Sequence, residues 1–235
     1  MLWLLVESGE MGGDWADAID PETIKSVLLE TAFGYVWRAH IVLSLALVLA
    51  ALWRSPQPPA LIAPLAGVFL ASLGFVGHAA MREGAIGLAE RANQALHLLA
   101  GGFWLGALPP LLFCLARYRD GGRERDAATA LRRFSGLGHV AVAVVLATGL
   151  VNTYMILGRW PTDFSSPYQA CLAAKIALVA LMALLALYNR YRLVPRLATA
   201  LEPNLALLTR TTLAELALGG AVLGLVSAFA TFAPA

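Results

Sequence analysis

All four histidines of this 235-residue chain, His40, His78, His97 and His139, fall inside long apolar runs. An imidazole carried into a membrane is costly to place there, so it faces other protein groups and serves as a ligand or a hydrogen-bonding brace. Met81 follows His78 by one helical step. Thioether sulfur favours Cu(I), and imidazole suits Cu(II) as well, so this pairing points to copper. The competing reading is structural: a membrane histidine commonly braces a neighbouring helix, and a methionine commonly fills space. The sequence has no C-x-x-C and no dense methionine run. The copper reading therefore rests on depth, with His40, His78 and His97 expected in the outer third of the membrane and His139 at the opposite end.

Further polar side chains interrupt the same apolar runs. Lys175 lies one turn after Cys171, Glu215 one turn after Thr211, and Asn152 shares a face with Thr148. Trp104 lies mid-helix on one face with His97 and Gly101, away from the interfacial belts that tryptophan prefers. These four, Trp104, Asn152, Lys175 and Glu215, are read as interior or pathway groups. A direct Lys175–Glu215 pair is not expected, because the two sit at different depths. No catalytic nucleophile or acid–base pair stands out, so an enzyme is not expected. The alternative comes from the histidines themselves. Two of them on facing helices could hold a haem b, in electron transfer or tetrapyrrole chemistry.

The elements that must position these residues are membrane helices. The chain is 59% hydrophobic and 14% charged, with a mean hydropathy of +0.71. A soluble domain carries about 25% charged residues. A bilayer admits only helices or closed barrels, and the strict alternation of barrel strands is absent. The spacing predicts an all-α polytopic bundle of about six spans, at 33–53, 61–80, 92–116, 134–157, 168–189 and 210–232. Each reaches the roughly 20 residues that a hydrocarbon core requires. Small-residue faces, such as Gly67, Ala71 and Gly74, indicate close helix packing. Residues 1–32 read as an N-terminal periplasmic segment. Its apolar start, Met1–Val6, resembles the end of a helix whose beginning is missing and is not a signal peptide. A short helix is expected after Asp20 as N-cap and Pro21. Residues 33–235 read as one transmembrane domain.

Arginines set the orientation. Arg117, Arg119, Arg123, Arg125, Arg132 and Arg133 lie between the third and fourth spans, and Arg190, Arg192, Arg196 and Arg210 between the fifth and sixth. With Arg54 these fall on one side, which the positive-inside rule makes cytoplasmic. Both termini are then periplasmic. Cys114 and Cys171 fall at opposite depths, too far apart for a disulfide. The net charge of +2 gives no reason to expect a nucleic-acid partner.

Several stretches resemble the copper resistance protein D (CopD) family of bacterial inner-membrane proteins. They are GHAA at Gly77–Ala80, LHLLAGGFWLGALPPLL at Leu96–Leu112, RFSGLGHVAVAVVLATGLVNTYMILG at Arg133–Gly158, and AKIALVALMALLALYNRYRLVPRL at Ala174–Leu197. The last span, AELALGGAVLGLVSAFATFAPA, is similar to the family's C-terminal end. The resemblance implies copper handling, described for the family as uptake across the inner membrane with a periplasmic copper-binding partner of the CopC type. On that expectation His40, His78, His97 and Met81 receive copper at the periplasmic face, and lipid surrounds the bundle. These ligand assignments come from the residues and not from the resemblance.

The arginine asymmetry makes a direct prediction. Cysteines introduced at Gly122 or Glu202 react with an impermeant maleimide only from the cytoplasmic side, and one introduced at Thr162 only from outside. Labelling of Gly122→Cys in intact spheroplasts inverts the topology.

Overall fold

In a computed structural model the described residues are 2–53, 58–76, 82–119, 124–197, 199–229 and 232. They are helical apart from turns and short connections. Among the described residues ten α-helices follow one another: α1 Leu2–Gly12, α2 Pro21–Glu30, α3 Ala32–Leu52, α4 Pro58–Ser72, α5 Gly84–Gly106, α6 Leu108–Arg119, α7 Glu124–Leu157, α8 Pro167–Tyr188, α9 Val194–Arg196 and α10 Leu201–Phe229. Among the described residues five stretches are long and apolar enough to cross a membrane: Ala32–Leu52, Gly84–Arg117, Gly136–Leu157, Pro167–Arg196 and Leu201–Phe229. Leu61–Phe75 is a shorter apolar helix. It occupies the second expected span, whose end at 77–80 lies outside the described residues. The chain forms two compact units, Met1–Leu98 and Leu99–Ala235.

In the first unit, local caps set the path of the chain. The Asp14 side chain accepts from the Ala16 amide at 2.9 Å and caps a 3-10 turn at Trp15–Ala18. Asp20 caps α2 as the sequence predicts, accepting from the Thr23 amide at 2.8 Å and the Thr23 hydroxyl at 2.7 Å, with Pro21 in the first turn. Those bonds hold its carboxyl below the ordinary aspartate range. Thr31 ends α2 and caps α3, its Oγ1 accepting from the Gly34 amide at 2.9 Å. Leu4, Val27 and Trp37 form the buried centre that ties α1 to α2 and α3. Leu2–Val6 lies in α1, whose 11 described residues are fewer than a span requires. Gly74 lies where α5 comes close, since a Cβ there would meet the Ala95 amide nitrogen at 2.9 Å.

In the second unit, α10 packs along α8 and α6, and α6 packs on α7. Ala100, Trp104, Ala141, Val145, Met182 and Ala183 form one buried cluster. Leu111, Leu115, Leu193, Leu205 and Leu208 form a second. Gly219 leaves room for the Leu105 side chain. The structure departs from the expected third span, 92–116, which is two helices broken at Ala107. The cause is Pro109–Pro110. Neither proline has an N–H for the carbonyls four residues back, Leu105 and Gly106, and both are tolerated in the first turn of a new helix.

The arginine-bearing connections are also more helical than expected. α7 has 34 residues, about 51 Å at 1.5 Å per residue, against a hydrocarbon thickness near 30 Å. The fifth span runs on through a π-helical turn, Asn189–Leu193, into α9. There the Val194 amide donates to the Asn189 carbonyl, five residues back. Pro195 explains the irregularity, because its ring cannot donate to, and crowds, the carbonyl of Tyr191 in a regular α turn. The connection before α8 is ordered by Asp163, which accepts from the Ser165 hydroxyl and amide, and by buried Gln169, which accepts from the Asp163 amide at 3.1 Å. The Ser165 bonds hold the Asp163 carboxyl below its ordinary range.

The α2–α3 corner gives a stability test. A Cβ at Gly34 would strike the carbonyls of Val27 and Leu28, whereas one at Gly220 meets nothing within 4 Å. Gly34→Ala should therefore lower stability by about 1–3 kcal/mol through overpacking. Gly220→Ala should leave it unchanged or slightly raised, because alanine is the better helix former. Thermal unfolding in detergent reads both, and equal midpoints would refute the corner's tightness.

Candidate functional site

Two polar assemblies stand out, one in each unit. In the first, α3 carries His40 into an aromatic stack. Its ring lies on Trp37 at 4.9 Å between centroids and on Phe69 of α4 at 4.0 Å, and Phe33 stacks on the far side of Trp37. His40 Nδ1 is 2.7 Å from Ser72 Oγ, and Ser72 Oγ donates to the Phe69 carbonyl at 2.7 Å. A hydroxyl has one hydrogen. With that hydrogen on the carbonyl, Ser72 accepts from Nδ1–H. The hydrogen bond at one ring nitrogen selects the tautomer and leaves the lone pair on Nε2. Metal-ligating histidines are oriented in this manner, by a hydrogen bond from the nitrogen that does not ligate. His40 is thus a rigid imidazole with its tautomer set. The indole Nε1 of neighbouring Trp37 is buried with no hydrogen-bond partner among the described residues.

His97 is half-buried on α5. His78 and Met81 lie outside the described residues. Among the described residues no three of histidine, cysteine, aspartate and glutamate group so as to hold a metal ion. The residue after Met81 is anchored, however. Arg82 pairs with Glu90 at 2.9 Å, and Arg91 Nη1 donates to the Arg82 carbonyl at 3.2 Å. Glu90 is 4% exposed. Nothing in the residues around it in the sequence marks it as buried.

The second assembly centres on Glu215 of α10. Its Oε1 accepts from Asn189 Nδ2 at 2.6 Å, and the Trp104 indole also bonds its carboxyl. Asn189 Oδ1 in turn accepts from Thr211 Oγ1 at 2.6 Å. Glu215, Asn189 and Trp104 are all buried. They border a cavity of about 280 Å³ whose wall also includes His139 of α7 and Arg190 of the π turn. The rest of the lining is largely apolar. Trp104 thus faces the interior at the depth of Glu215. Asn189 was missed because it closes the fifth expected span, where a polar residue reads as a helix end. The π turn keeps it inside the protein. His139 lies edge-on to Tyr191, with ring centroids 5.6 Å apart.

The remaining interior candidates stay apart from this cluster. Lys175 is half-buried on α8 and makes no hydrogen bond or ion pair among the described residues. Asn152 is half-buried on α7, and Thr148 bonds its own helix at the Val144 carbonyl. Cys114 and Cys171 are free thiols.

Against known proteins, residues 128–229 match the family model described as copper resistance protein D. Residues 1–88 match copper resistance protein D-like, N-terminal domain. The inner membrane protein YebZ of Escherichia coli (strain K12) is 36% identical over 98% of this chain and 79% of its own length. Copper resistance protein D of Pseudomonas syringae pv. tomato is 30% identical over 98% of this chain and 77% of its own. Copper transport protein CutJ of Bacillus subtilis (strain 168) is 29% identical over 71% of this chain and 32% of its own. No solved structure matches. Family models at both ends of the chain, and relatives aligned along nearly all of it, make this a member of the copper resistance protein D family.

Proposed function

We propose that this chain is a copper transport protein of the bacterial inner membrane that takes copper at its periplasmic face and passes it to the cytoplasm. Two relatives are named for copper transport or copper resistance and a third for the inner membrane. The observation that carries the reading within this chain is His40. Its imidazole is held in a membrane helix by Ser72 and two aromatic rings, with Nδ1 engaged. That leaves one nitrogen suited to a soft or borderline cation. His78, Met81 and His97 supply the remaining ligands, and the Arg82–Glu90 pair steadies the chain directly after Met81. A periplasmic copper-binding protein of the CopC type delivers the ion. Lys175, Asn152, Trp104 and Glu215 line or brace the route inward. The protein is a transporter and not an enzyme, and its copper is cargo.

Metal analysis and a visible spectrum on one preparation test this. His40→Ala, His78→Ala and His97→Ala should each lower copper bound per folded protein. Ser72→Ala, which frees the ring without removing a ligand, should weaken copper binding by about 10–100-fold, the usual effect of losing an orienting partner. His139→Ala, in the other unit, should bind copper as the wild type does. Full copper occupancy in His40→Ala would sink the site. A Soret band lost in the histidine variants would establish the haem reading instead.

A further inference from the structure

Glu215 is held by neutral donors alone. Asn189 and Trp104 bond its carboxyl, and the ion pairs among the described residues are Lys25–Glu22 and Arg82–Glu90. A carboxylate locked to an arginine stays ionised through any working cycle, whereas one bonded to an amide and an indole can gain a proton. Ionisable groups inside membrane proteins commonly mark proton relays, but most buried carboxyls lack a means to satisfy both of their states.

Here Asn189 and Thr211 provide that means. With Glu215 ionised, the amide NH2 of Asn189 donates to it, and the amide oxygen accepts from Thr211 Oγ1. With Glu215 protonated, its new O–H needs an acceptor. A half-turn of the Asn189 amide supplies one, presenting Oδ1 to Glu215 and Nδ2 to Thr211. An amide carries donor and acceptor on opposite sides of one plane, and a hydroxyl can be either. The Thr211 hydrogen then goes to the carbonyl of Leu207 or Leu208, each already 3.0 Å away. No polar group of the cluster is left unpaired in either state, so a change of charge at Glu215 orphans no buried donor or acceptor.

The cavity gives the proton a route. It is about 280 Å³, large enough for several waters, and it touches both Glu215 and Arg190 at the arginine-rich end of the unit. The other titratable or charged groups on its wall are His139 from α7 and Arg190 from the π turn. The parts of α5, α6, α8 and α9 that line it contribute Trp104 and apolar side chains, and α10 adds Leu208 and Thr212. We propose that Glu215 is a proton-exchange site, switched by the Asn189 amide and fed through this cavity, and that its exchange is coupled to copper movement. Uptake forms an O–H bond at the Glu215 carboxyl with a proton from cavity water, and release returns that proton to water. The coupling, unlike the exchange, rests on the transport reading above.

Infrared difference spectra of the purified full-length protein between near-neutral and alkaline buffer, above the range in which ordinary carboxyls protonate, test the exchange. The wild type should show a reversible carbonyl band of a protonated carboxyl, and Glu215→Gln should lose it. In Asn189→Ala, where the carboxylate has lost a donor, the band should persist to higher pH by about one unit, since bonds to a charged acceptor are the stronger ones. No band in the wild type, or a band that survives Glu215→Gln, overturns the proton site whatever copper does. The coupling is read in proteoliposomes holding a pH dye. Copper entry should change internal pH in the wild type but not in Glu215→Gln. If wild-type vesicles take up no copper while the infrared band is present, the transport reading and the coupling both fall and the proton site stands. If copper entry moves protons equally in both proteins, the coupling alone falls.

Discussion

Hydrocarbon offers no hydrogen bonds, and most of this architecture follows from that. A backbone amide that cannot find water must find a carbonyl, so the spanning chain is helical. The same demand falls on each polar side chain carried inward, and each answer here is specific. His40 takes Ser72 from the next helix, Glu90 takes Arg82, and Glu215 takes Asn189 and Trp104. Threonines on α7 and α10 turn back to their own helix carbonyls, as Thr148, Thr153 and Thr212 do. The residues that define candidate chemistry are those that reach a different element for a partner.

The two polar assemblies differ in character. Around His40 the neighbours are aromatic faces and one hydroxyl, which restrain a ring and select a tautomer without adding charge. Around Glu215 the neighbours are an amide, an indole and a hydroxyl, which can reverse their donor and acceptor roles. The first arrangement suits holding a cation in place, and the second suits a group whose charge changes. Both lie in a chain of the copper resistance protein D family, and its 98% alignment with YebZ and with copper resistance protein D spans both assemblies.

Much of the fold was legible in the residue order. Apolar blocks of span length marked the helices, and Asp20–Pro21 marked the start of α2. Trp104 announced its inward face by lying far from the interface. What could not be read depended on contacts across long separations or on backbone irregularity. The His40–Ser72 bond joins residues 32 positions apart, and a serine near the end of an apolar run has no pattern of its own. Asn189 sits in NRYRLVP, where polar residues and a proline suggest that a helix has ended. A π turn instead carries the helix past them and keeps the amide buried. The break at Ala107 was visible in principle, since Pro109 and Pro110 stand in the sequence. Hydropathy averaged over a whole span conceals it.

That break has a mechanical meaning. A continuous helix resists bending because bending stretches hydrogen bonds on its outer side. Between α5 and α6 the bonds to the Leu105 and Gly106 carbonyls were never made, since a proline has nothing to donate. Flexing at this joint therefore strains fewer bonds than flexing one turn away, those that cross it including Ala107 amide to Phe103 carbonyl at 3.0 Å and Leu111 amide to Ala107 carbonyl at 3.2 Å. Trp104 sits one residue before Leu105 and Leu108 just beyond Ala107, and both touch the cavity beside Glu215. The most compliant point of the third span thus lies against the wall of its polar chamber, where a small change of angle alters the chamber's width.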